Sequence, residues 1–235
     1  MDKNSNIYVF GYAVAVTLIV AVLLTFTSLK LQPLKDANEL NNKKKEILSS
    51  VIPDAKQLKG EEVSTKFEEV IQQVMINSSG EVIENNAVPP IDIDLKKEKK
   101  KPLQEQRLPL FVAKVDGANN YIIPVRGSGL WDEIWGFVAL NSDANTIGGV
   151  TFDHAGETPG LGAEIKDNKN WKNQFVGKKI FEGDEFVSVD VVKGGIKKPD
   201  HQVDAISGAT ITGDGVRDML YKDMGKYVDY LKSVK

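Results

Sequence analysis

The sequence predicts an α+β domain behind a single membrane-spanning helix, and three observations predict it. An uncharged apolar run opens the chain, short β-branched and aromatic runs separated by turn residues fill its second half, and a long amphipathic segment closes it.

Residues 7–29, IYVFGYAVAVTLIVAVLLTFTSL, carry no charge. At about 1.5 Å per residue such a run covers a hydrocarbon core of about 30 Å as one helix. A cleaved signal peptide is the rival, but the run exceeds the usual length of about 7–15 apolar residues, and TFTSLK offers no small-x-small cleavage site. Residues 1–30 are therefore read as an anchor segment. Its flanking charges, Lys3 and the α-amino group against Lys30, Lys35 and Lys43 to Lys45, would by the positive-inside rule keep the rest of the chain in the cytoplasm.

Leu40, Ile47, Leu48 and Val51 then recur at helical spacing before Pro53, which predicts a juxtamembrane helix. The stretch from 57 to 106 is mixed, and its lysine-rich part, Lys96 to Lys101 between prolines, is expected to be a solvated linker. Residues 31–106 are assigned to this juxtamembrane helix and variable linker, and 107–235 to the globular domain. Within the latter, LPLFVAKV, NYIIPVRG, IWGFVAL, TIGGVTF and FVSVDVVKGG predict at least five strands. NKNWKNQFVG predicts a short helix. Val216, Leu220, Met224, Tyr227 and Leu231, spaced by four, four, three and four, predict a long C-terminal helix with one face on the sheet.

Composition removes several functions. The formal net charge of −3 gives no basic field for nucleic acid. The chain has no cysteine, which removes disulfides, thiolate metal sites and cysteine nucleophiles together. His154 and His201 stand alone in polar surroundings, so no metal site is predicted.

Two glycine-rich stretches carry the candidate chemistry. DAISGATITGDGV, Asp204 to Val216, sets Ser207, Thr210 and Thr212 just ahead of the last helix. The free N–H groups and positive dipole of a helix start, a glycine at 208 that admits close approach, and three hydroxyls together suit a phosphate. Thr212 or Asp214 acting only as an N-cap explains the same residues. DHAGETPGLGAEI, Asp153 to Ile165, surrounds Glu157 and Thr158 with glycine and proline between a strand and a helix. It has neither the lysine of a P-loop nor the context of a dinucleotide fingerprint. It is either a plain surface loop or a wall against a planar ring.

These two stretches, with the upstream GSGLWDEIWGFVAL and the single anchor, resemble the FMN-binding domain family, and within it the C subunits of sodium-translocating NADH:quinone oxidoreductases. The resemblance is strongest over 108–235. Asp204, Ser207, Gly208, Ala209 and Thr210 match the family's Asp-x-x-Ser-Gly-Ala-Thr pattern, which a flavin transferase reads; Ala205 stands where glycine is frequent.

The resemblance implies a mainly antiparallel sheet and an FMN joined covalently by a phosphoester to Thr210, with Thr212 the rival acceptor and Ser207 orienting the loop. Thr158, Gly160, Leu161 and Gly162 would line the ring edge, Glu157 would shape that loop or meet the ring, and Leu130, Trp131 and Leu161 would give apolar surface to the isoalloxazine. No side chain is expected to act as a catalytic acid, base or nucleophile in the redox step, because the cofactor carries that chemistry. The resemblance further implies an electron-relay role beside other subunits of a bacterial inner-membrane complex, contact with lipid, and a domain on the periplasmic side, against the lysine count. Two other readings stay open: the G subunit of the related ion-pumping ferredoxin:NAD oxidoreductase, and a tethered module that holds a phosphate ligand reversibly.

Overall fold

The computed structural model describes residues 5–84, 86–115 and 117–235. Lys3, used above for orientation, lies outside them. The chain divides into two compact units, Met1–Asn42 and Lys43–Lys235.

Helix α1, Asn6–Ser49, begins in the first unit and holds the apolar run there, and the large aliphatic and phenylalanine side chains from Ile7 to Leu29 are exposed, as a helix facing lipid requires. The sequence suggested an anchor followed by a separate juxtamembrane helix. The two are one helix that continues through Pro33.

The second unit starts with the last residues of α1, where Ile47 and Leu48 are fully buried. A 3-10 turn, Pro53–Gln57, leads to α2, Glu61–Val70, and directly into strand β1, Ile71–Ile76. A short helix α3, Leu95–Glu98, precedes β2, Leu108–Val115; β3, Ala118–Ser128; β4, Glu133–Leu140; and β5, Ile147–His154. These five strands form one antiparallel sheet in the order β1-β2-β3-β4-β5. Two short helices follow, α4, Glu164–Asp167, and α5, Lys169–Asn173, the latter capped by the Asn168 side chain. Then come the two-residue strands β6, Phe181–Glu182, and β7, Glu185–Phe186, and a parallel pair, β8, Asp190–Val192, with β9, Gln202–Asp204. The chain closes with α6, Thr210–Met224, a 3-10 turn and α7, Val228–Val234.

Both faces of the sheet are covered, and the pleat explains how. Along β3 and β4, Tyr121, Ile123, Val125, Ile134 and Val138 face a core shared with Val216, Leu220, Met224, Tyr227 and Leu231, the predicted helical stripe. The intervening Ile122, Phe137 and Ala139 face a second core with Ile47, Leu48, Val63 and Phe67. The end of α1 and α2 are thus the second covering layer.

Two expectations for the middle of the chain are corrected. Residues 71–76, placed in a linker, form the edge strand of the sheet, and the compact unit begins at Lys43 rather than near 107. The lysine run is exposed at Lys96, Lys97, Lys99 and Lys100 but is not a loose linker: Lys99 pairs with buried Asp223 of α6 at 2.7 Å, Lys96 with Glu133 at 2.7 Å, and Lys101 and Arg107 with buried Glu98 at 2.8 and 2.7 Å. Asp223 also accepts the Arg126 backbone N–H at 2.7 Å. Arg126 lies beyond the last residue of β3 paired with β2, so this carboxylate satisfies an edge that the sheet leaves open. FVSVDVVKGG, expected to be a full strand, is broken at Ser188, whose φ of 61° lies in the left-handed region. Val189 and Val191 still enter the core.

Candidate functional site

The two glycine-rich stretches meet. The first turn of α6 lies against the loop after β5 and the turn between β3 and β4, and the contacts are close. A Cβ on Gly208 would come within 2.7 Å of Leu161 Cδ2, and one on Gly162 within 2.7 Å of Thr212 Oγ1.

Each wall follows from local sequence. Thr158 to Leu161 form a β-turn closed by the Leu161 N–H to the Thr158 carbonyl at 3.1 Å, with Pro159 second and Gly160, at φ 75°, third. That is the residue pattern of a type II turn. The Ala163 N–H reaches the same carbonyl at 3.1 Å and starts α4. The β3–β4 connection is closed by the Gly129 N–H to the Asp132 carbonyl at 2.8 Å, which leaves Leu130 and Trp131 exposed. Gly208, at φ 76°, turns the chain from β9 into α6.

Thr210 is the first residue of α6, half-buried, and its hydroxyl has no protein partner among the described residues. Ala209 before it supplies no side-chain cap, and the first intrahelical bond runs from the Gly213 N–H to the Ala209 carbonyl at 2.9 Å. The N–H groups of Thr210, Ile211 and Thr212 therefore face outward without a capping side chain, at the positive end of a 15-residue helix. The Thr212 side chain differs. It is 1% exposed, and its hydroxyl donates to Glu157 Oε2 at 2.6 Å.

Glu157 is itself 5% exposed, and its other oxygen accepts the Trp131 N–H at 2.9 Å. It sits inside the cluster rather than at its mouth. The mouth is apolar: Leu130 is 50% exposed, Trp131 70%, Leu161 43% and Ile211 55%. Ser207, Gly208, Thr158 and Gly160 are exposed, whereas Ala209 and Gly162 are buried. The Asp204 side chain is exposed, while its backbone is fixed by the Trp171 Nε1–H to its carbonyl at 2.7 Å and by its N–H to Gln174 Oε1 at 2.9 Å. Sequence reading missed Trp171, Gln174 and Ile211; a tryptophan within the polar NKNWKNQ was the available signal. His154 and His201 do not meet, and no cluster able to hold a metal occurs among the described residues.

A group with a phosphate at one end and a flat apolar body at the other fits this arrangement. Uncapped N–H groups and a free hydroxyl at the start of α6 occur in one cluster with exposed leucine, isoleucine and tryptophan. Similarity to known proteins agrees. The family profile described as FMN-binding domain matches residues 129–223. The C subunit of the Na(+)-translocating NADH-quinone reductase from Vibrio vulnificus is 32% identical, over 96% of this chain and 94% of its own. Its counterpart from Neisseria meningitidis is 33% identical, over 100% and 96%. A crystal structure of the C subunit from Parabacteroides distasonis superposes with a TM-score of 0.75 at 41% identity, covering 86% of this chain and 96% of that one. At this identity over nearly its whole length, the chain belongs to the family of C subunits of the Na(+)-translocating NADH-quinone reductase.

Proposed function

We propose that this chain is an electron-relay subunit of a sodium-pumping NADH:quinone oxidoreductase, and that it carries FMN joined through its phosphate to Thr210 Oγ1. The observation that carries the choice of residue is the contrast between two threonines on one helical turn. Thr210 presents a free hydroxyl on a half-buried residue, and Thr212 is 1% exposed with its hydroxyl engaged.

In this reading the first-turn N–H groups of α6 hold the phosphate, and Gly208 lets the backbone approach it. Leu130, Trp131, Leu161 and Ile211 cover the ring, and the Thr158–Leu161 turn borders it. Bound FMN supplies the electron-transfer chemistry; the side chains bind, orient and exclude water, and none acts as an acid or base in that step. A tether suits a relay. A cofactor that meets successive partners from a surface groove would otherwise dissociate, and attachment keeps its effective concentration high at every encounter. The flavin domain lies on the periplasmic side, with one membrane crossing, other subunits of the complex as neighbours, and a flavin transferase as the maturing enzyme. Charge counting near the anchor points the other way, but long domains cross largely regardless of it.

The test is flavin fluorescence on a denaturing gel after coexpression with a flavin transferase. The wild type and Thr212→Ala should be labelled and Thr210→Ala unlabelled, while Thr210→Ser, which keeps the hydroxyl but not the rotamer restriction, should be partly labelled. Full labelling of Thr210→Ala would refute the assignment.

A further inference from the structure

Between Ala155 and Leu161 only Glu157 is buried; the other residues of this loop are exposed. Buried carboxylates normally have a cationic partner, because the charge is otherwise stranded away from water. Glu157 has no salt bridge among the described residues, and its two oxygens take neutral donors instead, the Trp131 N–H and the Thr212 hydroxyl. Those donors belong to the other two walls of the site, the β3–β4 turn and the first turn of α6. Its own N–H donates to His154 Nδ1 at 3.1 Å, which ties the loop to the end of β5. The niche is shaped for this side chain: a Cβ on Gly129 would lie 2.4 Å from Oε1, and one on Gly162 2.1 Å from Oε2.

We propose that Glu157 is a positioning residue, a carboxylate brace that fixes the three walls against one another before any cofactor arrives and withdraws the Thr212 hydroxyl from the site. The second half rests on the reading of Thr210 as the acceptor; the first does not. A threonine hydroxyl 2.6 Å from a carboxylate also resembles a nucleophile with its base. Burial decides against that, since a phosphoryl donor cannot reach an oxygen on a residue 1% exposed. The bond serves geometry. It holds the first turn of α6 so that Thr210, two residues earlier and on another side of the helix, faces the groove.

The experiment measures amide hydrogen exchange on the full chain in detergent micelles, made without the transferase. In Glu157→Ala, exchange should rise about tenfold in three separate segments together, around 129–133, 155–163 and 209–214, the factor expected from losing a hydrogen bond to a charged group. Glu157→Gln, which keeps shape and one acceptor, should return all three to within about threefold of wild type. A defect confined to 155–163, or no change, overturns the brace. Thr212→Val removes one donor only, so exchange should rise at 209–214 and 155–163 and stay low at 129–133; if Glu157→Ala does not fold, this variant decides.

The second readout is covalent labelling of the same variants by the coexpressed transferase. Glu157→Gln should label within about threefold of wild type and Glu157→Ala about tenfold more slowly. Equal loss in both variants would mean that Glu157 acts as a base and would overturn the proposal. An unlabelled wild type would sink the phosphoester reading and leave the exchange result standing.

Discussion

Replacing Leu48 with alanine tests the finding that α1 does not merely lead to the domain but supplies part of its core. Leu48 and Ile47 are 0% exposed, in one cluster with Val63, Phe67, Phe111 and Phe137. A fully buried leucine cut to alanine loses about 2–5 kcal/mol, through lost transfer energy and the cavity left behind. A chain starting at Val51 lacks both side chains. At about 1.5–3 kcal/mol for each buried aliphatic group it forfeits roughly 3–6 kcal/mol, a large part of a typical total of about 5–15. Three truncations separate the readings: chains starting at Leu31 and at Lys43 should unfold in urea at the same concentration, and one starting at Val51 should be unfolded or shifted far down. The assay is urea denaturation followed by tryptophan fluorescence and circular dichroism, with Leu48→Ala made in the Leu31 chain. A Leu48→Ala change below about 0.5 kcal/mol, the range of surface substitutions, would refute the reasoning. So would a stable chain starting at Val51.

Two carboxyls set opposite pH limits. Burial alone would raise Glu98, but hydrogen bonds from Arg107 and Lys101 outweigh it and hold it at about 2, below its ordinary 4.5. Its contribution, about 3 kcal/mol at about 1.4 kcal/mol per pH decade, is complete above pH 4.5 and lost as pH falls towards 2; Glu98→Gln should abolish that acid-side slope in denaturation midpoints. Glu46 is displaced the other way, to about 7, first by burial and then by neighbouring Asp153, with Lys166 and Lys43 opposing. A carboxyl raised in the folded state favours folding below its unfolded value, so stability should fall as pH rises from 4.5 through 7, and Glu46→Gln should flatten that fall.

What was legible in the sequence follows from which forces act locally. The strands from β2 to β5 and the stripe Val216 to Leu231 announced themselves because a one-sided or two-sided apolar surface leaves a period in the chain. β1 did not, because IQQVMI is an edge strand with exposed glutamines and its pairing with β2 closes over a long loop. The ion pairs of the exposed lysine run were hidden for a related reason: their partners Asp223 and Glu133 lie far off in sequence. At the site, Pro159 and Gly160 encoded their turn directly, whereas the burial of Glu157 and Thr212 depends on three walls meeting and has no local signature.

The glycines of the site show how one residue type serves two ends. Gly208 and Gly160 bend the backbone where side chains are strained, and both lie on the exposed rim. Gly129 and Gly162 instead clear space around one carboxylate. A stretch such as ETPGLG therefore combines an exposed turn with a niche that faces inward. In the proposed flavin site both would serve, because a flat ring is held at a fixed distance from a helix start only if the walls are set before it binds. On that reading a loop with an exposed turn spends a buried carboxylate on its neighbours to set those walls. The same packing puts Thr210 and Thr212 in different environments: two residues apart on one helical turn, the first is half-buried with a free hydroxyl and the second is buried with its hydroxyl on Glu157.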